Sequence, residues 1–98
     1  MDLINIVNHP NATIVDVRET YEFQYGHAAN AINIPLSSLA ARLDEFRSMS
    51  APIVLYCVSG NRSGQARQFL LANGFQEVYN GGGLGDMAYY QSAKSKAA

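Results

Sequence analysis

Apolar residues along this chain fall into short blocks, and the spacing inside each block assigns it to a strand or a helix. Ile53-Val54-Leu55-Tyr56 is an unbroken run rich in β-formers, the pattern of a buried strand, and it ends on Cys57. Thr13 to Val17 has the same character, and Ala31 to Ile34 (stopped by Pro35) and Gln76 to Tyr79 are shorter versions of it. Helical spacing occupies the stretches between. Leu36, Leu39, Ala40, Leu43 and Phe46 share one stripe, with Arg42, Asp44, Glu45 and Arg47 off it. That predicts an amphipathic helix from Leu36 to Phe46, its N-terminus served by Ser37 or Ser38. Asp2 to Asn8 reads as a short helix capped by Asp2 and ended before His9-Pro10. Glu19 to Tyr25 is another, closed by Gly26, and Gln65 to Asn73 a third, stopped by Gly74 and capped by Ser63. Gly81 to Gly85 is expected to be a loop leading into a last helix through Met87, Ala88 and Tyr89.

Strands that alternate with helices in this way predict an α/β fold of three layers with a mainly parallel sheet. In such sheets, sites form outside the carboxyl ends of the strands. Cys57 stands at one such end, Asp16 and Arg18 at another, and the glycine run at a third. The domain is expected to span residues 1–91, and the small polar stretch from Ser92 to Ala98 to be a frayed tail.

Composition narrows the function classes. A chain of 98 residues makes one domain, and its 48% hydrophobic and 15% charged residues fit a globular fold. A net charge of −1 offers no field for nucleic acid or an anionic membrane. No apolar stretch has spanning length, and no basic segment followed by an apolar core opens the chain. The pattern reads as cytoplasmic, and a periplasmic protein without its signal peptide would give the same one. A single cysteine excludes an internal disulfide and leaves no Cys-His cluster for zinc, so no metal is expected.

That cysteine carries the chemistry. A lone cysteine beside a strand is most often a small buried hydrophobe. A core cysteine, however, has no need of the polar, glycine-containing loop that follows this one, Val58-Ser59-Gly60-Asn61-Arg62-Ser63, or of a helix opening directly after it. Gly60 gives the loop backbone dihedrals closed to other residues, and Asn61 tolerates the left-handed region. Strand, loop and helix together place the thiol at the positive end of a helix macrodipole, among inward N–H groups and near Arg62. A thiol so placed loses its proton easily and becomes a nucleophile.

Cys57-Val58-Ser59-Gly60-Asn61-Arg62-Ser63 resembles the active-site loop of single-domain rhodaneses, Cys-x-x-Gly-x-Arg-Ser. Thr13-Ile14-Val15-Asp16-Val17-Arg18-Glu19 resembles the family's Asp-Val-Arg segment, and Glu22 to Pro35, with Gly26-His27 and Ala31-Ile32-Asn33-Ile34-Pro35, the segment after it. Tyr79-Asn80-Gly81-Gly82-Gly83-Leu84 is similar to its late Gly-Gly motif. The likeness is collinear from about Leu3 to Tyr90. It implies a three-layer α/β/α rhodanese-like domain and a thiosulfate sulfurtransferase that needs no cofactor. Cys57 would be the catalytic nucleophile that carries a persulfide. Val58, Ser59, Gly60, Asn61, Arg62 and Ser63 would bind the substrate, with Arg62 holding an anionic donor. Asp16, Arg18 and His27 would be structural, the first two as an ion pair and His27 as a hydrogen bond to a loop. The implied partners are a small anionic sulfur donor such as thiosulfate and, as acceptor, cyanide or a thiol, a small redox protein included.

Two positions depart from the family pattern. Asn30 stands where rhodaneses commonly have glycine, and it is expected to keep a positive φ. Met87 stands at the place of the tryptophan that commonly follows the late Gly-Gly motif and is expected to loosen the packing behind the loop or open its rim. Two rival readings remain. One is a phosphatase or arsenate-reductase-like activity of the Cys-x5-Arg kind, although here only four residues separate Cys57 from Arg62. The other is a non-catalytic sulfur-carrier or regulatory module on a rhodanese scaffold.

Overall fold

Four parallel strands form one sheet in the order β2-β1-β3-β4: β1 (Thr13–Asp16), β2 (Ile32–Asn33), β3 (Ile53–Cys57) and β4 (Val78–Gly83). The computed structural model describes residues 2–97, with side chains through Ala93. Among these residues, five α-helices accompany the sheet: α1 (Leu3–Val7), α2 (Thr20–Tyr25), α3 (Leu43–Arg47), α4 (Asn61–Ala72) and α5 (Leu84–Ala97). The central strand β3 is buried along its whole length, and the two-residue period of a strand divides the core in two. Ile53, Leu55 and Cys57 face a cluster containing Phe46 of α3 and Ala66 and Leu70 of α4. Val54 and Tyr56 face the other, with Val7 of α1 and Met87 of α5. This is the three-layer α/β architecture expected from the alternation of elements.

The ends of β1 and β3 are tied together by a buried polar knot. Asp16 and Tyr56 are register partners, and alternation puts both on the α1/α5 face. The Asp16 carboxylate accepts from the Tyr56 hydroxyl at 2.6 Å and from the Arg18 guanidinium at 2.6 and 3.0 Å. Arg18 Nη2 also donates to the Gly26 carbonyl at 2.6 Å, and the Tyr56 hydroxyl accepts from the Ala28 N–H at 2.9 Å. Asn33 Nδ2 bridges the carbonyls of Asp16 and Arg18 at 2.9 and 3.0 Å. Among the described residues, no buried side-chain nitrogen or oxygen lacks a partner.

Several elements differ from expectation, each for a local reason. Leu36 to Phe46 is not one helix. It forms two 3-10 turns, Leu36–Ser38 and Ala40–Arg42, and only then α3. Ser37 and Ser38 are weak helix formers, and Arg42 at φ −119°, ψ 23° breaks the helical path, with its guanidinium bonded to Glu45 at 2.6 and 2.8 Å. Neither serine caps a turn here. The glycine run is not a loop. Gly81 to Gly83 continue β4, and α5 starts directly after them. Residues 92–97, expected as a tail, continue the backbone of α5, and Ala98 lies outside the described residues. Met87 opens no rim. It is fully buried against Val54 and Tyr56, and a Cβ added to Gly81 would lie 2.6 Å from its Sδ, so the thioether fills the space that glycine leaves.

Asn30 has φ +65°, in the left-handed region. Asn30→Gly should therefore leave stability within about 0.5 kcal/mol of the native protein, while Asn30→Val should lose about 1–2 kcal/mol, because a β-branched side chain is strained there. Urea unfolding midpoints for the three proteins check this, and equal midpoints for the two variants would remove the argument from backbone strain.

Candidate active site

The site is built where β3 stops and α4 starts. Alternation along β3 turns the side chain of Cys57 toward the α4 face, and the chain needs only Val58, Ser59 and Gly60 to reach the first turn of that helix. Gly60 makes the turn at φ +96°, in the left-handed region, and becomes the N-cap residue. Its carbonyl accepts the first helical hydrogen bond from the Gly64 N–H at 2.9 Å. A helix start normally borrows a side-chain oxygen to satisfy its free N–H groups, and Gly60 has none to lend. The sulfur of Cys57 takes that place. Sγ accepts from the Gly60 N–H at 3.1 Å and the Ser63 N–H at 3.4 Å.

This explains two departures from the sequence reading. The helix begins at Asn61 and not near Gln65, so Asn61 and Arg62 are helical residues. Ser63 is not the cap but lies in the first turn, on the buried stripe with Ala66 and Leu70. Its hydroxyl sits 3.3 Å from Sγ and donates to Asn80 Oδ1 at 2.7 Å. One hydroxyl proton cannot serve both. In the thiol state it goes to Asn80 and the S–H can donate to Ser63. When the thiol ionises, the proton can turn to sulfur, because the Gly82 N–H still satisfies Asn80 Oδ1 at 2.9 Å. Burial pushes the Cys57 thiol up, but the Ser63 hydroxyl and the N–H groups of Ser63, Gly60 and Ser59 outweigh it and bring the thiol below its ordinary range. Hydrogen bonds and the helix terminus, more than Arg62, favour the thiolate.

Arg62 is placed differently from expectation. It lies at the loop, but its guanidinium is held by Glu22 of α2 at 2.7 and 3.1 Å. Glu22 is fixed in turn by a capping box, accepting from the Glu19 N–H at 3.0 Å. The hydrogen bond from Arg62, helped by that backbone bond, lowers the Glu22 carboxyl to about 2, so the pair stays ionised through neutral pH.

On the far side, β4 supports the loop. The step from Leu55 to Cys57 on β3 is matched by the longer step from Asn80 to Gly83 on β4, a bulge of one residue. Asn80 Nδ2 donates to the Gly60 carbonyl at 3.0 Å, so one amide fastens Gly60, Ser63 and Gly82. Gly83 must be glycine, since a Cβ there would come within 2.0 Å of the Val58 carbonyl oxygen. Val58, Ser59 and Asn61 are exposed at the mouth.

Of the other residues singled out from the sequence, Asp16 and Arg18 form the buried ion pair of the knot, two strand ends converging beside the site. His27 is exposed, stacked on Phe23 with ring centroids 3.8 Å apart, and its Nδ1 is 2.9 Å from the Phe23 carbonyl. Its work is at the end of α2. Sequence reasoning missed Glu22, Tyr56 and Asn80. A polar amide opening a glycine run, and a tyrosine inside an all-apolar strand, were the signals available. Among the described residues, no group of three or more His, Cys, Asp or Glu side chains could hold a metal ion, and no helix is long and apolar enough to cross a membrane.

Comparison with known proteins agrees with this geometry. The profile of the rhodanese-like domain matches residues 2–84. The uncharacterized protein YqhL of Bacillus subtilis is 49% identical over 69 residues, which cover 70% of this chain and 54% of that protein. A tRNA uridine(34) hydroxylase of Hamiltonella defensa is 35% identical over 96 residues, 93% of this chain and 27% of the hydroxylase. This chain thus spans about half the length of the first relative and about a quarter of the second. Among solved structures, a rhodanese with anions from E. coli superposes with a TM-score of 0.72 at 36% identity, over 79% of this chain and 92% of that one.

Ser63→Ala should raise the Cys57 thiol toward its ordinary range and slow alkylation by iodoacetamide at neutral pH several-fold, with about 1 kcal/mol lost in stability from the missing bond to Asn80. An unchanged alkylation profile against pH would show that backbone donors alone set the thiol. For Glu22, the folded carboxyl lies near 2 against 4.5 for the free group, so its contribution to stability is complete above 4.5 and disappears as the pH falls toward 2. The stability gap between the native protein and Glu22→Gln should therefore be about 1 kcal/mol at neutral pH, for a partly exposed pair, and should close across that interval in denaturant titrations.

Proposed function

This chain belongs to the rhodanese-like domain family, and on that footing we propose that it is a sulfurtransferase domain that carries sulfane sulfur on Cys57. The fold is of the sulfurtransferase type. The observation that carries the proposal is the thiol seated as the N-terminal cap of α4, with two N–H groups directed at Sγ and the Ser63 hydroxyl 3.3 Å from it. The two N–H groups favour a negative sulfur before any substrate arrives and need no rearrangement to meet it, and the hydroxyl proton can turn from Asn80 to join them. Because the relatives are matched over only part of their length, what is shared with them is this domain, and tRNA hydroxylation stays with the hydroxylase.

The reaction is a double displacement. The Cys57 thiolate attacks the outer sulfur of thiosulfate, forming the S–S bond of a persulfide and releasing sulfite with the electron pair of the broken bond. An acceptor then attacks the outer persulfide sulfur. Cyanide leaves as thiocyanate, a thiol leaves as its own persulfide, and the Cys57 thiolate is regenerated. Neither half reaction requires a proton at the nucleophile once the thiolate is formed, which agrees with a site holding no histidine base: His27 is committed to Phe23. The loop geometry favours this reading over the phosphatase. A phosphoryl group needs an arginine turned over the nucleophile, whereas Arg62 comes one residue early and is bound to Glu22.

Intact-mass measurement is the direct test. Thiosulfate should add one sulfur atom to the native protein, and cyanide should remove it with release of thiocyanate. Cys57→Ser should abolish both and keep its fold, since serine is nearly isosteric and its hydroxyl can still accept from the N–H groups of Gly60 and Ser63. Turnover by that variant, or hydrolysis of aryl phosphates by the native protein, would sink the assignment.

A further inference from the structure

A rhodanese reading asks Arg62 to attract an anionic donor, yet the charge available at the mouth is small. Every arginine has a partner: Arg18 is paired with Asp16, Arg42 with Glu45, Arg47 with Asp44, and Arg67 donates to the Val78 carbonyl at 2.8 Å. Arg62, the cation of the active loop, gives two guanidinium nitrogens to the two oxygens of Glu22. Glu19 adds a second negative charge that acts on Arg62, and Asp86 stands across the loop with its carboxylate on the Gly83 N–H at 2.8 Å. The residue directly after the nucleophile, Val58, is apolar and 59% exposed. Among the described residues the mouth is therefore not a cationic funnel. A dianion such as thiosulfate meets a guanidinium already satisfied by a carboxylate, with further acidic groups around it.

Resting on the sulfurtransferase reading, we infer that Glu22 is a specificity-determining residue: by clamping Arg62 it withholds positive charge from free anions and turns Cys57 toward hydropersulfide donors, RSSH, in preference to thiosulfate. The thiolate attacks the outer sulfur of RSSH, the RS–S bond breaks, and Cys57 carries S–SH while RS⁻ leaves with the bonding pair. No oxidant or reductant enters. The donor brings no sulfonate that Arg62 must hold, and its R group can lie along Val58. The persulfide formed rests on the same helix N-terminus in either case, so Glu22 acts on the choice of donor through Arg62 and not on the reacting sulfur.

The experiment compares sulfur loading of Cys57 from thiosulfate and from the hydropersulfide of 2-mercaptoethanol, and reads the ratio of the two specificity constants. Glutamine at position 22 keeps an oxygen for the Glu19 N–H, so the capping box survives while the charge goes. In Glu22→Gln the thiosulfate-to-hydropersulfide ratio should rise about tenfold, the size of one charge-assisted contact. Adding Arg62→Gln to that variant should return the ratio to within about twofold of native. An unmoved ratio in Glu22→Gln, or a gain that survives loss of Arg62, overturns the inference. The native protein supplies a check free of any variant. Its specificity constant for thiosulfate should stay nearly level as salt rises to physiological strength, and a steep fall would show an uncompensated cation at the mouth and overturn the clamp. Loading by both donors with a failed ratio defeats only the role of Glu22, whereas absence of sulfur on Cys57 with either donor defeats the sulfurtransferase reading and this inference with it.

Discussion

Everything in the site depends on one substitution of roles, a sulfur standing where a helix cap should be. The start of α4 has free N–H groups and a glycine at the N-cap, so it is incomplete until Sγ of Cys57 accepts from Gly60 and Ser63. The thiol needs those donors to ionise, and the helix needs an acceptor to begin at Asn61. The two requirements are met by the same atoms. The setting that favours the Cys57 thiolate is therefore not an addition to the fold but part of how α4 starts, and the backbone donors keep their positions whatever the charge on sulfur.

Such a cap is useful only if β3 delivers the sulfur accurately, and the polar knot at the strand ends does that. Burying Asp16 and Arg18 costs desolvation that their attraction repays only when every remaining donor and acceptor is used. Here the carboxylate takes Arg18 and Tyr56, and Arg18 and Tyr56 reach on to Gly26 and Ala28. Burial, with the Asp16 hydrogen bond, pushes the Tyr56 hydroxyl up to about 12, so it stays a protonated donor through neutral pH. The knot thus fixes Tyr56, the neighbour of Cys57 on β3, against β1 and against the loop that leaves α2. That loop follows the helix carrying Glu22, which holds Arg62. Ion pair, strand end and active loop form one connected support.

The layers and the placing of Cys57 at a strand end before a helix were legible in the sequence because they rest on local signals: apolar runs, alternation, and a polar glycine loop after a lone cysteine. What escaped needed partners distant in sequence. Leu36 to Phe46 has a flawless helical stripe, but periodicity records which face is buried and not whether the turns are α or 3-10. Ser63 looked like a cap because serine usually is one, and the true acceptor was a sulfur six positions earlier. Arg62 looked free because its counter-ion lies forty positions away on α2. The glycine run looked like a loop because glycine is poor in strands, whereas here its lack of side chains is what keeps the strand in place. Asn30, by contrast, was legible, since φ > 0 is a property of one residue.

The glycines of β4 show why the loop can be short. With the bulge after Leu55, β4 reaches Cys57 at Gly83, and the Val58 carbonyl comes closer to that strand than any side chain would allow. The loop backbone thus leans on β4 backbone, and Asn80 pins its other end through the Gly60 carbonyl. A loop held at both ends by main-chain and amide contacts has little freedom to widen. Two of its N–H groups, those of Gly60 and Ser63, meet on the single sulfur of Cys57. The short spacing from Cys57 to Arg62 and the bare backbone of β4 are therefore two sides of one fit: the first draws the cradle in, and the second lets it close.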